Sequence, residues 1–139
     1  MPIFSFPIER NRIQLEVGIS ELSAGSDGPP AITWAPAKID TGASATAIPQ
    51  TVIGTVGLEA VSRTTARTAN GTVQTDIVEG DLYLKYTEAG QERIQIFPQR
   101  RLCSLADGGN PRPALIGMDL LSLGLLVVYG RLNTADFSI

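Results

Sequence analysis

Glycine and proline interrupt this chain so often that only short, turn-bounded segments are left between them: 14 glycines and 9 prolines fall across 139 residues. Proline removes a backbone donor and glycine loosens the backbone, so each tends to end a helix or a strand. The runs between are rich in Val, Ile, Thr and Tyr. That pattern reads as mostly β structure with tight turns, in one domain spanning 1–139.

Alternation places several strands. Over residues 12–19, Ile13, Leu15, Val17 and Ile19 share one face. Further on, Leu82, Leu84 and Tyr86 do the same in GDLYLKY, and RIQIF continues the meander after a turn at EAGQ. Residues 23–30 are a loop by composition. AITWAPAKID returns as a strand, with Pro36 demanding an edge or a bulge. A short helix is expected in PQTVIGTVGL, with Pro49 at its first turn and Gly57 near its end. Residues 64–78 make the best hairpin, turning at Asn70-Gly71, the preferred pair for a type I′ turn. PALIG reads as a short buried strand and MDLLSLG as one or two helical turns. The end of the chain reads as a hairpin turning near Asn133. The strands are not grouped as a parallel sheet requires.

Composition removes several chemistries. With no histidine there is no Ser-His-Asp or Cys-His catalysis and no His-ligated zinc. The single cysteine, Cys103, excludes an intrachain disulfide and sits in an apolar context that reads as a buried structural thiol. Net charge is −3 with scattered basic residues, which gives no footprint for nucleic acid. The apolar stretch over 113–129 contains Asp119 and is too short for a membrane span, so it reads as core. The start of the sequence lacks the pattern of a signal peptide, which points to the cytoplasm. Trp34, the only tryptophan, is expected in the core.

Against this background KIDTGASATAIP, residues 38–49, stands out. Asp40 ends an apolar strand and is followed by small residues only: Thr41, Gly42, Ala43 and Ser44. The plain reading is a strand-end turn, since Asp-Thr-Gly suits one. The functional reading is a partly desolvated carboxylate with room around it for an extended ligand. Gly42 lets the backbone turn and lets another chain come close.

These residues, with TAIP after them, resemble the active-site loop of retropepsin-like aspartic proteases. ALIGMDLLSLG, residues 114–124, is similar to that family's second signature, and the TANGT hairpin falls between the two, where such proteases carry a flap. The resemblance implies an all-β fold: a closed retropepsin-like β-barrel with one or two short helices, homodimeric. None of Asp76, Asp81, Asp107, Asp119 and Asp136 repeats the Asp-Thr-Gly context, so a two-carboxylate mechanism needs two chains.

By this resemblance Asp40 is catalytic and Thr41 and Gly42 complete the active-site loop. Ala43, Ser44, Thr68, Ala69, Asn70, Gly71 and Thr72 would meet substrate, and Ile116 and Gly117 would pack behind the loop. The implied partners are a second copy of the chain and an extended peptide or unfolded protein. No metal or other cofactor, nucleic acid or membrane is implied. Asp119 is most simply a helix N-terminal acid. Ser44 stands where viral members usually have a second acid, and residues 21–36 are longer than the compact viral pattern needs. Two further readings stay open: a dimer of the same fold that grips peptides without cleaving them, and a structural domain in which the triplet is an ordinary turn.

Overall fold

The computed structural model describes residues 2–23, 30–108 and 110–139. Its elements are β1 (Ile3–Glu9), β2 (Arg12–Ser20), β3 (Thr33–Ile39), β4 (Ala47–Pro49), α1 (Gln50–Val56), β5 (Ala60–Thr68), β6 (Gly71–Glu88), β7 (Gln91–Leu105), β8 (Ala114–Ile116), α2 (Met118–Leu121), β9 (Leu125–Tyr129) and β10 (Thr134–Ser138), with a 3-10 turn at Gly130–Leu132. Most of the described chain is strand, as expected. Of the loop expected over 23–30 and the longer segment over 21–36, residues 24–29 lie outside the described residues.

Six strands close into a barrel. Strand β2 pairs with β3, β3 with β8, β8 with β4, β4 with β7, β7 with β6, and β6 returns to β2. Most pairings are antiparallel. Two short ones, β3–β8 and β4–β7, run parallel over three residue pairs each. Pro36 is tolerated in β3 because β8 covers that strand only from Ala37 onward, so the proline still faces a free edge. Outside the ring, β1, β10 and β9 form an antiparallel extension in the order β1-β10-β9.

Alternation decides which side chains go inside. Val17, Ile19, Leu82 and Leu84 are buried in the barrel with Ile48, Leu102 and Ile116. Phe4 of β1 is fully buried and stacks on Phe137 of β10, with ring centroids 6.0 Å apart. It also meets Tyr86 of β6 edge-on at 5.4 Å and Phe97 of β7 at 6.4 Å. This cluster joins the terminal strands to the barrel.

Helix α1 begins after Pro49 and ends at Gly57, as expected. Two side chains depart from their expected places. Trp34 is half-buried, not in the core, with the Lys85 ammonium 4.2 Å from its ring centroid. Cys103 on β7 is likewise only half-buried. The apolar stretch over 113–129 divides into β8, α2 and β9. Among the described residues no helix is long and apolar enough to cross a membrane.

The β5–β6 hairpin forms where predicted, but its turn is not type I′. Thr68 pairs with Gly71, so the two loop residues are Ala69 and Asn70. Asn70 is not among the residues with positive φ, whereas Gly71 has φ +115°. The Thr68 side chain supplies the reason. Its hydroxyl accepts from the Asn70 N–H at 3.2 Å and donates to the Gly71 carbonyl at 2.9 Å, holding the turn one residue earlier than the Asn-Gly pair suggests.

Candidate active site

Asp40 follows the last residue of β3 and is half-buried. Its N–H donates to the Ile116 carbonyl at 2.9 Å, which carries the β3–β8 ladder one step past the Ile39–Ile116 pair. The chain then turns sharply: the Ala43 N–H donates back to the Asp40 carbonyl at 3.1 Å. Inside this turn the Gly42 N–H donates to Asp40 Oδ1 at 3.0 Å. Among the described residues Oδ2 accepts no hydrogen bond. One oxygen is held and the other is open, on a carboxylate at the barrel's rim. Thr41, Gly42 and Ser44 are exposed and Ala43 is half-buried.

The loop rests on α2. The N–H groups of Met118 and Asp119 donate to the carbonyls of Ala43 and Ser44, at 2.8 and 3.1 Å. Gly117 is buried between them. A Cβ there would come within 2.6 Å of the Ala45 carbonyl carbon and 2.9 Å of the Ala43 oxygen. Only glycine lets the two backbones approach so closely. Ile116, in the adjoining strand, is 1% exposed. Both residues therefore lie behind the loop, the arrangement expected from the sequence.

A further pair was not singled out by sequence reasoning. Thr46 is 1% exposed. Its hydroxyl accepts from the Gly117 N–H at 3.1 Å and donates to Asp119 Oδ1 at 2.7 Å. Its N–H donates to Asp119 Oδ2 at 3.0 Å. Asp119 Oδ1 also accepts the Leu120 N–H at 2.8 Å, which fits an acid in a helix's first turn. So Asp119 does more than cap: with Thr46 it ties α2 to the far end of the Asp40 loop. The available signal was a lone threonine among alanines in ASATA, too weak to single out without the fold.

Thr68, Ala69, Asn70, Gly71 and Thr72 gather at the exposed tip of the β5–β6 hairpin. Among the described residues no hydrogen bond joins that tip to the Asp40 loop. Lower in the hairpin, the Thr75 hydroxyl bonds to the Ser104 carbonyl and fixes β6 to β7. The Cys103 thiol is pushed above its ordinary pKa, chiefly by burial and secondly by the negative charge of Asp119. Such a thiol is a poor nucleophile. Among the described residues no cluster of His, Cys, Asp or Glu could hold a metal ion.

A carboxylate fixed through one oxygen on a turn of small residues, backed by a glycine-dependent helix contact, is suited to proton transfer with a bound water. Residues 34–123 match the family model described as gag-polyprotein putative aspartyl protease. Among solved structures, the chain is similar to a retropepsin-like aspartic protease from Rickettsia conorii. That match has a TM-score of 0.57 at 14% identity and covers 97% of this chain and 89% of the other. No curated protein matches the chain. The matched segment runs from β3 through α2 and takes in Asp40, the β5–β6 hairpin and Gly117.

Proposed function

The chain belongs to the gag-polyprotein putative aspartyl protease family, and from that premise we propose that it is an aspartic endopeptidase whose catalytic centre is completed by a second copy of itself. The observation that carries this reading is the Asp40 loop. It holds one half-buried carboxylate by a backbone N–H at 3.0 Å and leaves the other oxygen open. One Asp-Thr-Gly triplet per chain supplies one carboxylate, and the chemistry needs two.

Two such carboxylates about 3 Å apart cannot both ionise and share one proton, a behaviour for which aspartic proteases are the standing example. The ionised member takes a proton from a water held between them. The protonated member donates to the scissile carbonyl as water attacks, and no acyl-enzyme forms. Thr41 would brace the paired loops. Gly42, Ala43 and Ser44 would leave space along an extended peptide, bound largely through its main chain. The tip at Thr68, Ala69, Asn70, Gly71 and Thr72 would close over it as a flap. Activity is therefore expected at acidic to mildly acidic pH. It is lost as pH rises and both carboxylates ionise, and lost again at low pH when both are protonated.

Cleavage of a mixed peptide library across acidic to neutral pH, comparing wild type with Asp40→Ala, tests this reading. Products from the wild type alone are expected. Intact peptides with both proteins would leave a dimer that binds peptides without cutting them.

A further inference from the structure

Three free strand edges remain on the barrel and its extension, and they are built differently. Edge strands attract stray pairing, and proteins blunt them with charges, prolines or bulges. Strand β5 carries Arg63 and Arg67, and its register shifts at a bulge between Ala60 and Ser62. Strand β7, over the stretch that β4 does not reach, carries Glu92, Arg93, Pro98, Arg100 and Arg101. Strand β9, the last of the β1-β10-β9 extension, reads LLVVY and has no charge, no proline and no bulge.

The faces of β9 point the same way. Its inner neighbour β10 alternates in the usual manner: Ala135 and Phe137 are buried, while Thr134, Asp136 and Ser138 face outward. On β9, Leu126 and Val128 share the side of Phe137 and Ala135, while Leu125, Val127 and Tyr129 stand opposite Ser138, Asp136 and Thr134. Both faces are apolar, the composition of a strand covered on both sides. Yet Leu125 is 61% exposed and Val128 55%. An edge strand more apolar than the strand inside it has its partner elsewhere.

We propose that two copies of this chain pair antiparallel along β9, each lending its unguarded edge to the other across a two-fold axis. This rests on the reading above that two Asp40 carboxylates act together, which is what names a second copy as the occupant. The edge is self-complementary, as an isologous contact requires. Within each copy β10 is already flanked by β1 and β9, so the terminal strands stay with their own chain and β9 is the strand left to cross. The contact is also continuous with the site. Strand β9 begins four residues after the end of α2, whose backbone N–H groups hold the Asp40 loop through Ala43 and Ser44. The paired extensions form one sheet in the order β1-β10-β9-β9-β10-β1.

The test is sedimentation velocity on the full chain, with peptide cleavage measured on the same samples. Leu125→Lys with Val128→Lys places charges on the edge at side chains already exposed in the single copy, so the fold should survive, as checked by the far-UV spectrum. The wild type should sediment as a dimer, and the double variant should keep its spectrum while its sedimenting mass halves. Thr64→Lys with Thr65→Lys, on the guarded β5 edge, adds the same charge and should remain a dimer. A monomeric wild type, or a double variant that stays dimeric, overturns the pairing. Should the double variant misfold, Val127→Cys in a Cys103→Ser chain gives a second readout. Disulfide-linked dimers under mild oxidation support pairing along β9, and their absence overturns it. A dimer that depends on β9 yet cleaves nothing would sink the protease reading alone. A wild type that cleaves while the double variant stays dimeric would sink the pairing alone.

Discussion

At the scale of single residues, Thr46 shows how much of the candidate site depends on groups that never touch substrate. Its hydroxyl stands between the Gly117 N–H and Asp119 Oδ1, so deleting it disturbs two partners at once. Thr46→Val keeps the shape and removes the oxygen. It leaves a buried N–H without an acceptor and should cost about 1–3 kcal/mol, measured by urea unfolding. Thr46→Ser, which keeps the hydroxyl, should recover most of that loss. If valine and threonine proteins unfold at the same urea concentration, the bond adds nothing to stability. Cys103 gives a second residue-scale expectation. Alkylation proceeds through the thiolate, and burial, then the charge of Asp119, raise the pH at which that thiolate forms. Iodoacetamide should therefore label Cys103 more slowly at neutral pH than it labels an exposed cysteine, with the rate rising at higher pH. Asp119→Asn removes the smaller cause and should move the profile part of the way back. A profile matching free cysteine in the wild type would contradict the raised value.

At the scale of elements, the sequence was most legible where side chains alternate and least legible at turns. The faces of β2 and β6 follow from Val17, Ile19, Leu82 and Leu84, because a period of two sends alternate residues inward whatever the neighbours do. The Asp40 loop and the Gly117 contact were legible too, since small residues in fixed order carry the geometry. The pair Thr46–Asp119 was not, because it joins segments 73 residues apart. Turn type was not legible either. Asn70-Gly71 carries the strongest turn signal in the chain, yet both residues of the left-handed pair are found elsewhere: at Arg10 and Asn11, with φ of 52° and 61°, and at Ala89 and Gly90, with φ of 50° and 75°. There the register of long paired strands dictates the turn, and the local preference yields. Ala89 has no side-chain oxygen to ease a left-handed backbone, a conformation costing roughly 1–2 kcal/mol for such residues. Ala89→Asn, which installs the favoured Asn-Gly pair, should stabilise the protein by about 0.5–1 kcal/mol and raise the thermal midpoint by a few degrees. A lower midpoint would mean that the β6–β7 turn is not under that constraint.

At the scale of the whole molecule, the barrel presents one reactive carboxylate on a braced loop, and the terminal extension presents an edge with no guard. The two features answer one another. A chain that supplies half a dyad gains nothing from a fully protected surface, and a chain with an unguarded strand has a use for it only if pairing completes something. Phe4 couples them mechanically, since it contacts Tyr86 and Phe97 of the barrel and Phe137 of the extension at once. A protein built this way should lose function by subunit exchange as well as by mutation. When wild type is mixed with an equal amount of Asp40→Asn chains and allowed to exchange, about one quarter of dimers carry two intact carboxylates, by random isologous pairing. Cleavage per wild-type chain should then fall to about half its unmixed value, and fall further with a larger excess of the variant. A chain that acted alone would be indifferent to the added variant. Peptide cleavage measured before and after exchange separates the two cases: a rate that does not change on mixing, while labelled subunits demonstrably exchange, would mean that one Asp40 suffices and that the dyad is not the catalytic unit.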